Sequence, residues 1–210
     1  MVALRIFIFG FAMWSCCVQG QTANVPSTEE MRKVVSDPKN SGSYRFVGNT
    51  LVCISNFPAG TVLPSDPDLY YCLKIGQLKI GMSLDDVTSR LGAPEQDIRQ
   101  SNGVTASMFV VLRTTSRSAY WVVSHKDRKV VAIQLTGTAV PVDAKLSTAD
   151  YEFSGITLLA PEGKVRELLG PRFSESPVPQ IQGTQWNYAP FPFSIQMQDG
   201  KVYSIRIHQP

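Results

Sequence analysis

"SAYWVVSHKDRKVVAIQL", residues 118–135, decides the fold. Two runs rich in β-branched and aromatic residues flank the polar stretch Lys126 to Lys129, which marks two strands and a hairpin loop. Side chains alternate between the two faces of a strand, so a slip of one residue in register exchanges the buried and exposed sets. Closing this hairpin through Lys126 to Lys129 pairs Val122 with Ile133 and Tyr120 with Leu135. Trp121 and Gln134 then share the opposite face. Upstream, "MFVVLR", residues 108–113, supplies a third strand.

Further upstream stands "IGMSLDDVTSRLGAP", residues 80–94. Ser83 suits a helix N-cap, and Asp86 three residues on makes a variant of the capping box. Leu84, Val87 and Leu91 form one apolar face, Gly92 suits the turn that ends the helix, and Pro94 blocks its continuation. A helix this short needs burial of its apolar stripe to persist. "LLAPEGKVRELLGP", residues 158–171, echoes the outline, with Val165, Leu169 and Gly170 matching Val87, Leu91 and Gly92. It lacks a Ser or Thr cap, and Gly163 weakens it. "FPFSIQMQDGKVYSIRI", residues 191–207, then reads as a second hairpin. A three-residue loop, Gln198 to Gly200, pairs Ile195 with Tyr203 and Phe193 with Ile205, keeping the apolar set on one face.

The expected architecture is therefore α+β: two tandem repeats, each a short helical segment packed on one face of an antiparallel β-sheet, with the other face free. Residues 73–137 form the first repeat, 138–150 a linker and 151–210 the second. Before them, residues 21–72 hold a brief helix in "STEEMRKVVSD", a hairpin in "YRFVGNTLVCI" turned at Gly48-Asn49, and a loop rich in Pro and Asp. Asp66 and Asp68 in that loop lack the glycine turn and the later Glu of a calcium loop.

Residues 1–20 read as a signal peptide: Arg5, an apolar run from Ile6 to Val18, and small residues around Gly20. Ser15-Cys16 is a weak echo of a lipobox, and membrane association is expected only if Cys16 is lipidated. The chain is expected to be exported, periplasmic or secreted, with an outer-membrane lipoprotein as the alternative. The mature chain keeps Cys53 and Cys72, which in an oxidising compartment pair as a disulfide worth about 3 kcal/mol in the chain-entropy model. Of the 210 residues 43% are hydrophobic and 18% charged, which excludes disorder. The net charge of +3 comes without a Lys/Arg cluster, which argues against nucleic acid.

"IGQLKIGMSLDDVTSRLGAPEQ" with "DRKVVAIQL", and "GITLLAPEGKVRELLG" with "WNYAPFPFSIQMQDGKVYSIRI", resemble the SmpA/OmlA (BamE) small outer-membrane lipoproteins and the fold-related β-lactamase-inhibitor proteins. Gly81, Met82, Ser83, Val87, Leu91, Gly92 and Pro94 carry the first part, and Asp199, Gly200, Lys201 and Val202 the last. Two copies in one chain resemble the tandem inhibitor proteins more than the single-copy lipoproteins. The resemblance implies a fold and an envelope or secreted setting. It transfers no partner-contact residue.

No catalytic constellation emerges. His125 and His208 are far apart, Asp85 and Asp86 do not face each other on a helix, and no nucleophile elbow, zinc motif, phosphate loop or dinucleotide fingerprint is present. Neither a cofactor nor a metal is expected. Trp, Tyr and Arg are the residues that most often anchor interfaces. The candidate partner-binding surface is accordingly the free sheet face: Trp121, Gln134, Ser204 and Arg206, with Trp186 and Tyr188 nearby. Trp121 has a competing place in the core, under the N-terminal hairpin or the other repeat. The expected function is an exported, non-catalytic protein-binding module, an inhibitor or accessory factor of a secreted or envelope protein. A cell-envelope assembly lipoprotein is the first alternative, and an unrecognised hydrolase or small-ligand binder the second.

Overall fold

The computed structural model describes residues 28–54, 72–140 and 148–210. The expected signal peptide with Cys16, the loop with Asp66 and Asp68, and residues 141–147 of the expected linker lie outside them.

The N-terminal elements form where local sequence directs them. Helix α1 spans Thr28–Ser36, and strands β1 (Ser43–Val47) and β2 (Thr50–Ile54) make a hairpin. Gly48 and Asn49 turn it with φ of 55° and 65°, as a two-residue hairpin turn requires. A minimal hairpin, β3 (Lys74–Ile75) and β4 (Leu78–Lys79), leads into α2 (Leu84–Leu91). The Asp86 N–H donates to Ser83 Oγ at 3.1 Å, and Ser83 Oγ donates to the Asp86 carboxylate at 2.5 Å. That second bond is the main cause holding the Asp86 carboxyl below its usual range. Strands β5 (Gln96–Arg99), β6 (Thr105–Arg113), β7 (Ser118–Lys126) and β8 (Lys129–Gly137) follow. Helix α3 (Glu162–Leu169) starts at Pro161 without a side-chain cap bond. Strands β9 (Ser174–Val178), β10 (Gly183–Asn187), β11 (Phe193–Gln198) and β12 (Lys201–His208) complete the chain.

Strands β5 to β12 build one antiparallel sheet in the order β5-β6-β7-β8-β12-β11-β10-β9. This corrects the expected fold class. The molecule is mostly β, with one sheet of real size and few, short helices, and not two tandem helix-on-sheet repeats. The reason lies at the seam, where β8 and β12 pair Ile133 with Ile207 and Leu135 with Ile205. Separate sheets would leave each of these aliphatic strands as an edge, which invites unwanted pairing.

Both long hairpins also depart from the expected register, and in the same way. Each turns through two residues at positive φ, Asp127-Arg128 and Asp199-Gly200. Lys126 pairs with Lys129 and His125 with Val130, but Ser124 pairs with Ala132, which leaves Val131 as the extra residue of a β-bulge. Beyond the bulge Trp121 pairs with Leu135 and Val123 with Ile133. In the second hairpin Gln198 pairs with Lys201 and Met197 with Val202, then Tyr203 is extra. Ile195 therefore pairs with Ile205 and Phe193 with Ile207, rather than with Tyr203 and Ile205. The bulge reconciles a tight turn with in-register aliphatic pairs, which neither a regular two-residue turn nor a longer loop achieves here. The attachment of each helix recurs too. Leu84 N–H donates to Arg128 O and Glu162 N–H to Gly200 O, while Val130 and Val202 donate back to Met82 and Ala160.

One face of the sheet carries the core. Trp121, Val123, Ile133, Leu135, Ile195, Ile205 and Ile207 are buried there, with Val87 of α2, Val165 and Leu169 of α3, Ile75, Leu78, Phe153 and Ile156 in the same cluster. Tyr44 of β1 packs against Phe153, Phe191 and Phe193 at ring-centroid distances of 5.9, 5.6 and 4.9 Å. A disulfide between Cys53 and Cys72, with Cα atoms 5.8 Å apart, ties β2 to the start of β3. No helix among the described residues is long and apolar enough to cross a membrane.

Candidate functional site

Among the described residues the second face of the sheet carries no helix, and its chemistry follows from strand alternation. With Trp121 and Val123 facing the core, Tyr120, Val122 and Ser124 of β7 face outward; with Ile133 and Leu135 facing the core, Gln134 and Thr136 of β8 do so. By the same rule β12 contributes Ser204, Arg206 and His208, β11 Ser194 and Gln196, and β10 Gln185 and Asn187. The β10 to β12 half is therefore polar. Gln196 Nε2 donates to Gln185 Oε1 at 3.4 Å, Gln185 Nε2 to Asn187 Oδ1 at 2.8 Å, and Gln134 Nε2 to Ser204 Oγ at 2.8 Å. The other half, around Met108, Val110, Val122 and Tyr120, is more apolar and half-buried.

Three of the six expected partner-binding residues stand on this face. Gln134 is half-exposed, Arg206 is exposed, and Ser204 lies beneath Gln134 with almost no exposure. Trp121, Trp186 and Tyr188 were expected beside them and are instead core residues, 1%, 2% and 0% exposed. The cause is the area each ring removes from water on the helix side, where Trp121 stands opposite Leu135 and Trp186 opposite Ile195. Trp121 stacks on Tyr151 at 6.1 Å, and Tyr188 on Phe193 at 4.7 Å. Trp186 has the guanidinium groups of Arg166 and Arg172 each 4.8 Å from its ring centroid. Burial pushes the Tyr188 hydroxyl up to about 12.

At one end of the open face lies a groove of about 560 Å³. Ser124, Gln185, Asn187, Ser194, Arg206 and His208 line its floor, with Gln100, Asn102 and Phe191 at its sides. Two arginines on this face behave differently. Arg113 is bound by both oxygens of Glu95, at 2.8 and 3.0 Å, and sits 5.8 Å from the Tyr120 ring centroid. Arg206 has no ion-pair partner among the described residues. It sits opposite Gln134 on the β8 to β12 seam, so a cation stands where the two halves of the sheet meet.

A second polar group was not anticipated. Ser107 Oγ donates to Asp97 Oδ1 at 2.6 Å and lies 3.1 Å from His125 Nε2. The hydroxyl stands between the other two, whereas acyl-transfer triads need the imidazole between hydroxyl and carboxylate. Only pairing register brings these residues together: Asp97 opposite Ser107 on neighbouring strands, and His125 two pairs further along β7, on the same face. Sequence spacing gives no sign of it. Among the described residues no group of three or more His, Cys, Asp or Glu side chains converges to hold a metal ion.

Fold and face together define a two-layer β protein whose single large sheet is covered on one side. No protein-family model matches the chain, and no curated protein matches it. Solved structures similar to it include a cysteine-rich secretory protein from Staphylococcus aureus, 14% identical with a TM-score of 0.40, over 62% of this chain and 44% of that one. A DUF4309 family protein from Bacillus subtilis is 17% identical with a TM-score of 0.40, over 69% and 86%. An extracellular protein containing an SCP domain from Bacillus anthracis is 10% identical with a TM-score of 0.39, over 73% and 50%. The chain thus spans less than half the length of the first of these. Likeness at this level carries no argument about fold or function.

Proposed function

We propose that this chain is an exported, non-catalytic protein-binding module that takes an acidic segment of its partner on the open sheet face. The observation that carries the reading is Arg206, an exposed cation without a carboxylate partner among the described residues, set in a groove of amides and hydroxyls. Such a floor offers hydrogen bonds to a peptide backbone and one charge-assisted bond to a carboxylate. A nucleic-acid surface would gather several cations. A formed disulfide supports an oxidising compartment, periplasmic or extracellular.

A photo-crosslinking residue at Gln196, on the open face, and one at Glu167, on the exposed side of α3, test the proposal. The expected adduct with an exported protein forms from position 196 and not from 167. Arg206→Glu abolishes it without changing the melting temperature, and the cross-linked peptide contains Asp or Glu. Absence of an adduct at 196, or an adduct indifferent to Arg206→Glu, rejects the reading.

A further inference from the structure

Strand β5 is one border of the eight-stranded sheet, and all four of its residues are exposed. The opposite border, β9, contains Pro177, which has no N–H to offer an incoming strand. Edge strands are templates for further pairing unless blocked. β5 is not blocked by proline, and its one large apolar side chain, Ile98, is 53% exposed.

The pairing of β5 with β6 fixes which backbone groups remain on the free side. Gln100 N–H donates to Val104 O at 2.8 Å, and the ladder continues as Arg99 with Thr105, Ile98 with Ala106 and Asp97 with Ser107. Hydrogen-bonded and non-hydrogen-bonded pairs alternate along an antiparallel ladder. Ile98 therefore directs its N–H and C=O to β6, while Asp97 and Arg99 direct theirs away from the sheet. A partner strand must use those two residues.

We infer that β5 is a self-association edge, at which a second copy of this chain pairs antiparallel about a two-fold axis through Ile98. In that register Asp97 meets Arg99 of the second copy, and Arg99 meets Asp97 of the second copy, each pair exchanging both backbone hydrogen bonds. Asp97 and Arg99 lie on the same face of the strand, so two cross-strand ion pairs form there, and the two Ile98 side chains meet on the open face. The neighbouring registers that also use the outward groups place Asp97 against Asp97 or Arg99 against Arg99, and like charges directly opposite are unfavourable. Charge order thus selects one register. The Ser107 hydroxyl bonded to Asp97 Oδ1 holds the carboxylate on the face where its partner arrives. A four-residue edge buries far less than the roughly 1,200–2,000 Å² of a stable interface, so the dimer is weak and concentration-dependent. This pairing does not depend on the ligand reading of the open face.

Sedimentation velocity from about 10 µM to about 1 mM, a range suited to an interface below ordinary size, tests it with charge variants. Wild type shifts from monomer towards dimer. Asp97→Arg and Arg99→Asp each set like charges opposite one another and stay monomeric throughout. An equimolar mixture of the two variants restores complementarity and dimerises, as does the double variant D97R/R99D. Monomeric wild type at the highest concentration overturns the proposal, as does self-association of either single variant or failure of the mixture to associate. Should Asp97→Arg fail to fold once its Ser107 bond is lost, Arg99→Asp with an unchanged melting temperature decides alone: dimer lost supports the edge, dimer retained overturns it.

Discussion

The Tyr188 hydroxyl and the Trp121 indole nitrogen are buried without a hydrogen-bond partner among the described residues. An unsatisfied buried polar atom costs stability in proportion to its lost hydration. Tyr188→Phe is therefore expected to be neutral or stabilising by up to about 1 kcal/mol at pH 7 in urea unfolding. The same residue sets an alkaline limit. Burial raises its pKa to about 12, as it does for Tyr44, while the unfolded phenol titrates near 10. Between about pH 10 and pH 12 the unfolded chain loses these protons before the native one, so stability present below pH 10 is lost as pH rises. Each tyrosine contributes on the order of 2 kcal/mol to that decline, and Tyr188→Phe should remove about half of it. An unchanged alkaline limb in the variant would show that the hydroxyl reaches water. That Tyr188, Trp121 and Trp186 lie inside was not readable from residue type, because Trp and Tyr are equally at home in cores and in interfaces.

Among the elements, the two caps after α2 and α3 look alike and differ in setting. Gly92 and Gly170 have φ of 83° and 72° with ψ near −165°, a region nearly restricted to glycine. Gly92→Ala should cost about 1–3 kcal/mol through backbone strain alone, since a Cβ there meets nothing. At Gly170 a Cβ would come within 2.3 Å of the Phe46 ring of β1. Gly170→Ala should then cost a further 1–3 kcal/mol or so for moving that ring, and urea midpoints of the two variants compare the costs directly. Equal midpoints would mean that β1 yields freely. Local chemistry made the caps of α2, the β1 to β2 turn and the long strands legible in the sequence. Two kinds of element escaped. Bulges at Val131 and Tyr203 have no residue signature; the first reverses the face expected for β7, and the second shifts the pairs of β11 and β12 while leaving their faces as expected. Edge strands β5 and β9 are short and polar, and Pro177 in β9 reads as a break rather than a strand. For the candidate site this meant that Arg206 and Gln134 were found by alternation within a strand. The groove, which needs residues from five strands and two loops, was not.

For the whole molecule, the disulfide joins a hairpin of the covering layer to the segment that starts β3, across a separation of 19 residues. Cys53→Ala/Cys72→Ala should lower stability by about 3 kcal/mol, read as a fall in urea midpoint near neutral pH. A variant as stable as wild type would mean that the covering layer holds without the link. The pairing of β8 with β12 was the least legible feature, because nothing in either strand names a partner so distant in sequence. It also places the final strand of the sheet at its middle, flanked by β8 and β11. The β8 border of one half and the β11 border of the other are closed only by Lys201–His208. A change that weakens β12 therefore parts the sheet into two halves instead of trimming a border, so any segment that competes for this one strand acts on the whole fold.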